Sequence, residues 1–160
     1  MIRKFAVVLI AMLYAAALHA ATTLPKPKNI VTDGAGILTN EEVASLTSDL
    51  QALRTRGLGQ VLIYIVPALP PGETMEEVTL RSANAWGVGD RMRDDGVVIF
   101  VFMSDRKIRI ELGLGVEKKI DDATAARIIQ EKMVPAFKRS AYAAGLHDAV
   151  VEIGRRLSAP

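Results

Sequence analysis

The stretch that decides the fold reads Ala85-Trp86-Gly87-Val88-Gly89-Asp90-Arg91-Met92-Arg93-Asp94-Asp95-Gly96-Val97-Val98-Ile99-Phe100-Val101-Phe102. It contains the only Trp of the chain. A helix is predicted to end at Trp86, and a loop of glycines and carboxylates then leads into the apolar run at 97–102. A short apolar run of this kind predicts a strand that is buried on both faces. Asp94 and Asp95 therefore stand at the start of a central strand, which makes them the first candidates for a functional site.

The segments on either side of this stretch predict a mixed sheet. Residues 60–66 form a second apolar run, and Thr74 is a good N-cap for the helix between the two runs. A strand, a helix and a strand of these lengths predict a right-handed parallel crossover. Ser104-Asp105 then predicts a tight turn into 107–112, where apolar and polar residues alternate as they do in an edge strand.

Further helices are predicted before and after the sheet. A capping box at Thr39 starts the first of them. Asp121 or Asp122 starts another, which we expect to stop before Pro135 because proline disrupts a helix interior. The last helix covers 142–157. The predicted fold is a three-layer α/β/α sandwich with a small mixed sheet, built from one parallel βαβ crossover and an antiparallel edge hairpin.

The first residues have the layout of a secretory signal peptide. Arg3 and Lys4 form a basic start, an apolar run continues to Leu18, and a small-residue cleavage site ends at Ala20. We expect cleavage rather than an uncleaved anchor, because the apolar run is shorter than the roughly 20 residues of a spanning helix. The mature protein is expected to be periplasmic or secreted and not membrane-spanning. The predicted organisation is a signal peptide at 1–20, an extended, mobile linker at 21–29 and one domain at 30–158.

Composition excludes several classes of function. The chain has no Cys, which rules out thiolate metal sites and cysteine nucleophiles. Removing Arg3 and Lys4 from the 20 basic residues balances the 18 acidic ones, and no dense basic stretch is present, so nucleic acid is not an expected partner. Gly113-Leu114-Gly115 lacks the third glycine of a dinucleotide fingerprint, and no P-loop is present. We therefore expect no nucleotide cofactor.

The predicted hairpin brings carboxylates to one end of the sheet. A two-residue turn after Met103 pairs Val98 with Glu111 and places Asp94 beside Gly115. This is the amino end of the parallel strands, whereas cofactors of open α/β sheets bind at the carboxyl end. Carboxylates and backbone carbonyls at this end suit Ca²⁺ or Mg²⁺. The alternative is ordinary turn and cap chemistry, in which Asp accepts hydrogen bonds from nearby backbone N–H groups.

The chain contains, in this order, Val31-Thr32-Asp33-Gly34-Ala35-Gly36-Ile37-Leu38-Thr39, the run Gln60 to Val66, Trp86-Gly87-Val88-Gly89, Asp95-Gly96-Val97-Val98-Ile99, Arg109-Ile110-Glu111-Leu112-Gly113-Leu114-Gly115-Val116-Glu117, Asp121, and Pro135-Ala136-Phe137-Lys138 with Tyr142. Together these segments resemble the TPM domain family, named for a thylakoid lumen protein, a photosystem II repair protein and a worm receptor modulator. The resemblance covers about residues 30 to 157. It implies an α/β/α sandwich outside the cytoplasm, with members that are acid phosphatases, members that bind divalent cations and members that are accessory factors for membrane complexes.

The resemblance also implies a site, and together with the export signal and the carboxylates of the predicted loop it predicts a function. The function is a monomeric module that binds Ca²⁺ or Mg²⁺ and assists a membrane or envelope protein complex. One alternative is a weak metal-dependent acid phosphatase in which Arg91 or Arg93 holds the phosphate. Another is a metal-independent module that binds a partner along the edge strand at 107–112. The implied metal ligands are Asp33, Asp94, Asp95, Glu111 and Asp121.

Overall fold

The computed structural model describes residues 22–159 and contains one four-stranded sheet in the order β1-β2-β3-β4. Strands β1, β2 and β3 are parallel, and β4 is antiparallel to β3. The predicted mixed sheet is therefore confirmed, and the predicted signal peptide lies outside the described residues. The strands are β1 (Val31–Asp33), β2 (Gln60–Val66), β3 (Gly96–Phe102) and β4 (Lys107–Leu112).

Helices cover both faces of the sheet, as the predicted three-layer sandwich requires. Helix α2 packs on one face, and α1 and α5 pack on the other. Side chains of β3 alternate between two apolar clusters, one for each face, which is why this strand is buried throughout. Within residues 22–159, no helix is long and apolar enough to cross a membrane. The helices are α1 (Asn40–Thr55), α2 (Met75–Trp86), α3 (Asp122–Ile128), α4 (Val134–Phe137) and α5 (Tyr142–Leu157).

The hairpin register is the one that the two-residue turn predicts. Val98 pairs with Glu111, and the backbone N–H of Gly115 donates to Asp94 O at 2.9 Å. The predicted cap at Thr39 is also present, with both hydrogen bonds of the capping box. These local signals were sufficient because each depends on residues close together in the chain.

Strand β1 was not predicted. It has three residues and pairs in parallel with β2, so that Val31 lies beside Ile63. Its hydrophobic pattern is too short to be recognised as a strand from sequence. The pairing adds a second parallel crossover, through α1, and places Asp33 at the carboxyl end of its strand.

The expected stop before Pro135 is wrong. A π-helical segment, Ile129–Met133, follows α3 and leads directly into α4, with Pro135 in the first turn of α4. Val134 donates its backbone N–H to Ile129 O, five residues back. In a regular α-helix, the ring of Pro135 would clash with the carbonyl group four residues before it. The wider π turn moves that carbonyl group and so removes the clash. The helical path therefore continues past the proline.

Residues 22–29 contain no helix or strand but contact the sheet and α2. Leu24 is buried, and its backbone N–H donates to Ser82 Oγ at 2.9 Å. The indole N–H of Trp86 donates to Leu24 O at 3.1 Å, and the hydroxyl of Tyr64 donates to Pro25 O at 3.0 Å. Trp86 thus has the core role that its position predicts, and it also fixes a segment that we expected to be a mobile linker.

Candidate functional site

The loop between α2 and β3 rests on closely packed backbone. Helix α2 ends at Gly87, whose φ of 63° is favourable for glycine. A Cβ added at Gly96 would lie 2.1 Å from Val88 O, and one added at Gly113 would lie 2.2 Å from Asp94 O. These distances leave no room for a side chain. The glycines of this motif are explained by the contact between loops, and Gly113 in particular by its contact with the backbone of the acidic loop.

Asp95 is the most buried carboxylate of this loop, and both of its oxygens are occupied. Oδ1 accepts the backbone N–H of Asp90 at 2.8 Å, and Oδ2 accepts Arg93 Nε at 2.7 Å. Burial alone would raise the pKa of Asp95, but the Asp90 N–H and the Arg93 guanidinium together bring it below its ordinary value. Asp95 therefore remains ionised over most of the pH range.

Asp90 and Asp94 hold the rest of the loop. Asp90 Oδ1 accepts the backbone N–H groups of Met92 at 2.9 Å and Arg93 at 3.1 Å. Asp94 has a φ of 47° and accepts the N–H of Leu114 on Oδ2 at 3.0 Å. This second contact ties the acidic loop to the residues after β4. Both carboxylates therefore have turn roles, which is the alternative that the sequence left open.

Arg93 is the internal counter-ion of the loop. Its Nη1 lies 4.0 Å from Asp90 Oδ2, and its Nε lies 2.7 Å from Asp95 Oδ2. The hydrogen bond to Asp95, helped by the charges of Asp95 and Asp90, raises the pKa of Arg93. The side chain of Arg93 is nevertheless 64% exposed. A guanidinium thus occupies the space between two carboxylates from the solvent side.

Glu111 belongs to a different environment, on the face covered by α2. It is buried and accepts Arg109 Nε at 2.5 Å, while Thr79 Oγ1 lies 2.6 Å from the same oxygen, Oε1. The hydrogen bond to Glu111 is the main reason that the pKa of Arg109 is raised. Since Glu111 pairs with Val98, it lies about 7 Å along the sheet from the start of β3. The charge of the Glu111 carboxylate is therefore balanced by Arg109 at this position.

Asp33 and Asp121 have local capping roles. Asp33 accepts three backbone N–H groups between Ala35 and Leu38, at 2.8 to 3.1 Å. It lies at the carboxyl end of β1, about 15–20 Å along the sheet from Asp95. Asp121 is the N-cap of α3, and its hydrogen bonds with Thr124, side chain first and backbone second, lower its pKa. Each acid is satisfied by its own neighbours.

The five acidic residues implied by the family resemblance are therefore not assembled into one group. Within residues 22–159, no three His, Asp or Glu side chains are close enough to hold a metal ion together. Asp94 and Asp95 share a loop, and Asp90, which was not among the predicted ligands, joins them. The signal that could have added Asp90 is its position, five residues before Asp95 at the start of the same turn.

Sequence reasoning also missed a groove at the opposite end of the sheet. Its volume is about 510 Å³, and it lies between the β3–β4 hairpin and the residues of α4 and α5. Lys107 and Lys138 both line it although they are distant in sequence. Only the tertiary fold brings them together. The signal present in the sequence was two pairs of adjacent basic residues, at 106 and 107 and at 138 and 139.

Comparison with known proteins identifies the family. The family model described as the TPM domain matches residues 31–156. The N-terminal domain of a P. gingivalis protein, solved by NMR, is 30% identical, with a TM-score of 0.73 over 81% of this chain and 82% of that chain. No curated protein matches.

Two more distant structures show the same fold. The BA42 protein of Bizionia argentinensis is 17% identical with a TM-score of 0.65, covering 78% of this chain and 83% of that one. The N-terminal domain of the cg2496 protein of Corynebacterium glutamicum is 13% identical with a TM-score of 0.64, covering 87% and 90%. With the family match spanning most of the described residues, the chain belongs to the TPM domain family.

Proposed function

We propose that this protein is an exported accessory module that assists a membrane or envelope protein complex, and that it binds a divalent cation at the loop Asp90–Asp95. Membership in the TPM domain family supports the accessory role, and the leader-like pattern at residues 1–20 supports export. The observation that carries the cation proposal is the position of Arg93 between two carboxylates.

The donor set suits a hard cation only after a rearrangement. Asp90 Oδ2 and Asp95 Oδ2 both face the Arg93 guanidinium, and carboxylate oxygens are preferred ligands of Ca²⁺. No group of three ligating side chains is preformed within the described part of the chain, so water would complete the coordination shell. Binding would require Arg93 to leave, which its exposed side chain permits. Asp33, Glu111 and Asp121 are outside this proposed site.

Exchange of Arg93 for a cation would change the surface of the loop. Met92, at the loop tip, is 94% exposed, and Arg91 is exposed beside it. Release of Arg93 would add a second mobile cationic side chain next to this exposed apolar group. A partner that contacts the tip would therefore bind differently in the two states. In this way a cation bound to the loop could regulate an accessory contact.

The test is a calcium titration followed by amide chemical shifts. We expect perturbations confined to residues 89–96 at about 0.1–1 mM Ca²⁺, the range of extracellular modules. Arg93→Ala removes the competing guanidinium and is expected to tighten binding about two- to fivefold, as the loss of one exposed ion pair allows. Asp95→Asn is expected to weaken it. Arg155→Ala, which removes an arginine from an ion pair elsewhere, is the matched control.

One outcome of the titration would refute the cation proposal. If the amides of residues 89–96 do not respond to about 10 mM calcium in either the wild type or Arg93→Ala, the cation proposal is wrong. The accessory role would then have to be carried by another surface.

Acid phosphatase activity is a second candidate, favoured by the two arginines on the same loop as Asp95. In that mechanism Asp95 would attack phosphorus and the bond to the ester oxygen would break, so that the alcohol leaves after water protonates it, while Arg91 or Arg93 holds the phosphate oxygens. Water would then hydrolyse the aspartyl phosphate and release inorganic phosphate. Asp95 would first have to exchange its bonds to Arg93 and to the Asp90 N–H, because both of its oxygens are occupied. Loss of turnover of p-nitrophenyl phosphate in Asp95→Asn would support this function. Equal turnover by wild type and variant would assign it to a contaminant.

A further inference from the structure

The groove beside the hairpin has an apolar floor. Met103 and Ile108 come from the end of the hairpin, and Val134, Phe137 and Tyr142 come from α4 and the start of α5. Phe137 and Tyr142 contact each other edge to face, with ring centroids 5.2 Å apart. The volume of about 510 Å³ lies in the range of sites that hold small ligands or a few side chains. The groove therefore offers apolar surface at the carboxyl end of the parallel strands.

The charged side chains around this floor are all basic. Arg106, Lys107 and Lys138 line the groove, all three are exposed, and no acidic side chain lines it. Among the residues that the structure describes, none of these three cations forms a hydrogen bond or an ion pair with another side chain. Elsewhere on the surface, arginines such as Arg155 and Arg156 are paired with a carboxylate. The groove thus combines apolar surface with unpaired positive charge, which is complementary to an apolar ligand that carries an anionic end.

The edge of the sheet supplies hydrogen-bonding groups at the same place. The N–H of Gly113 donates to Gly96 O, so alternate residues of β4 direct their backbone groups toward β3. By this alternation, Ile108 and Ile110 direct theirs away from the sheet. Ile108 is half-buried and lines the groove, whereas Ile110 is only 3% exposed. An added chain can therefore pair at Ile108 but cannot continue along β4.

We propose that this groove binds the free carboxyl terminus of a partner polypeptide. Its last one or two apolar side chains would pack against Phe137 and Tyr142, and its backbone would pair with Ile108. Its terminal carboxylate would lie among Arg106, Lys107 and Lys138. A chain end matches the groove better than an internal strand does, because the accessible edge is short and the rim is cationic.

This inference names the class of partner for the accessory role proposed above and rests on that role, but it does not require the bound cation. The groove and the acidic loop lie at opposite ends of the sheet. Amide shifts near residues 106–108 and 137–142 report on the peptide, and shifts near 89–96 report on calcium. One proposal can therefore fail while the other holds.

The test uses fluorescein-labelled hexapeptides that begin Gly-Ser-Gly-Ser and end in two residues drawn from Ala, Val, Leu, Ile, Met and Phe. Each is measured by fluorescence anisotropy against the full mature protein, as the free acid and as the carboxyl-terminal amide. We expect the best free acids to bind at least tenfold more tightly than their amides, because the charge-assisted hydrogen bonds between the terminal carboxylate and the groove cations are lost on amidation. The bound peptide should shift amides at 106–108 and 137–142.

Substitutions then locate the site. The double variant Arg106→Gln, Lys138→Gln is expected to weaken the free acids about tenfold and to leave the amides unchanged. Lys118→Gln, which changes an exposed lysine outside the groove, is the matched control. Circular dichroism should show the same fold in all forms, since only exposed side chains are altered.

Three results would overturn the inference. They are equal affinity for acids and amides, an effect of Lys118→Gln as large as that of the double variant, and no binding by any peptide up to about 1 mM. Vesicles of phosphatidylglycerol form a separate arm. If these vesicles shift the groove amides and the peptides do not, the occupant is an anionic lipid and the peptide proposal is wrong.

Discussion

Replacement of Gly113 by alanine tests whether the glycines of the motif serve backbone packing. The new Cβ would lie 2.2 Å from Asp94 O, whereas carbon and oxygen normally approach to about 3.3 Å. The acidic loop would have to move by about 1 Å. Such a shift would lengthen the hydrogen bond from Gly115 N–H to Asp94 O, now 2.9 Å, beyond a useful distance.

The expected destabilisation follows from these two effects. Overpacking costs about 1–3 kcal/mol, and the lost hydrogen bond costs about 1 kcal/mol. We therefore expect Gly113→Ala to lower the free energy of unfolding by about 2–4 kcal/mol and Tm by about 6–12 °C. Urea denaturation and thermal melting by circular dichroism measure these changes.

Gly87→Ala is the matched control. Gly87 also lies at the loop, but a Cβ there would contact no atom within 4 Å, so only the cost of its φ of 63° remains. That cost is about 1–2 kcal/mol. If Gly113→Ala is no more destabilising than Gly87→Ala, the explanation by backbone contact is wrong.

Two further predictions concern other parts of the molecule. The hydrogen bonds of Arg155 and Arg156 lower the pKa of Glu152 to about 2, so this group stabilises the fold above pH 4.5, and the contribution is lost as the pH falls toward 2. Glu152→Gln should therefore lower the free energy of unfolding, measured by urea denaturation, by about 1 kcal/mol at pH 7 but have little effect at pH 2. An equal effect at both pH values would contradict this reasoning. Trp86→Phe should lower the free energy of unfolding by about 1–3 kcal/mol, because Leu24 O would lose the indole N–H as its donor. For the same reason it should accelerate hydrogen exchange at the amide of Leu24. Unchanged exchange at this amide would show that the indole does not fix residues 22–29.

Most of the fold could be predicted from sequence because its signals are local. The cap at Thr39, the turn at Ser104-Asp105 and the alternation of 107–112 each depend on neighbouring residues, and the hairpin register follows from the turn length. The path past Pro135 could not be predicted. It depends on a π turn, which a rule about regular helices does not anticipate.

The position of the candidate site could be predicted from the sequence, but the set of residues that form it could not. The loop with Asp94 and Asp95 lies where the register puts it. Asp33 and Asp121, however, use their carboxylates on backbone N–H groups, and residue type alone does not distinguish such a cap from a metal ligand. The cationic groove was not predictable, since its walls come from segments about thirty residues apart in sequence.

The most direct test of the proposed function is the calcium titration of wild type beside Arg93→Ala. The counter-ion account predicts that calcium shifts the amides of residues 89–96 in both proteins and that the variant binds about two- to fivefold more tightly. Weaker binding by Arg93→Ala would mean that Arg93 supports the site instead of competing for it. No response at residues 89–96 in either protein would contradict the account altogether.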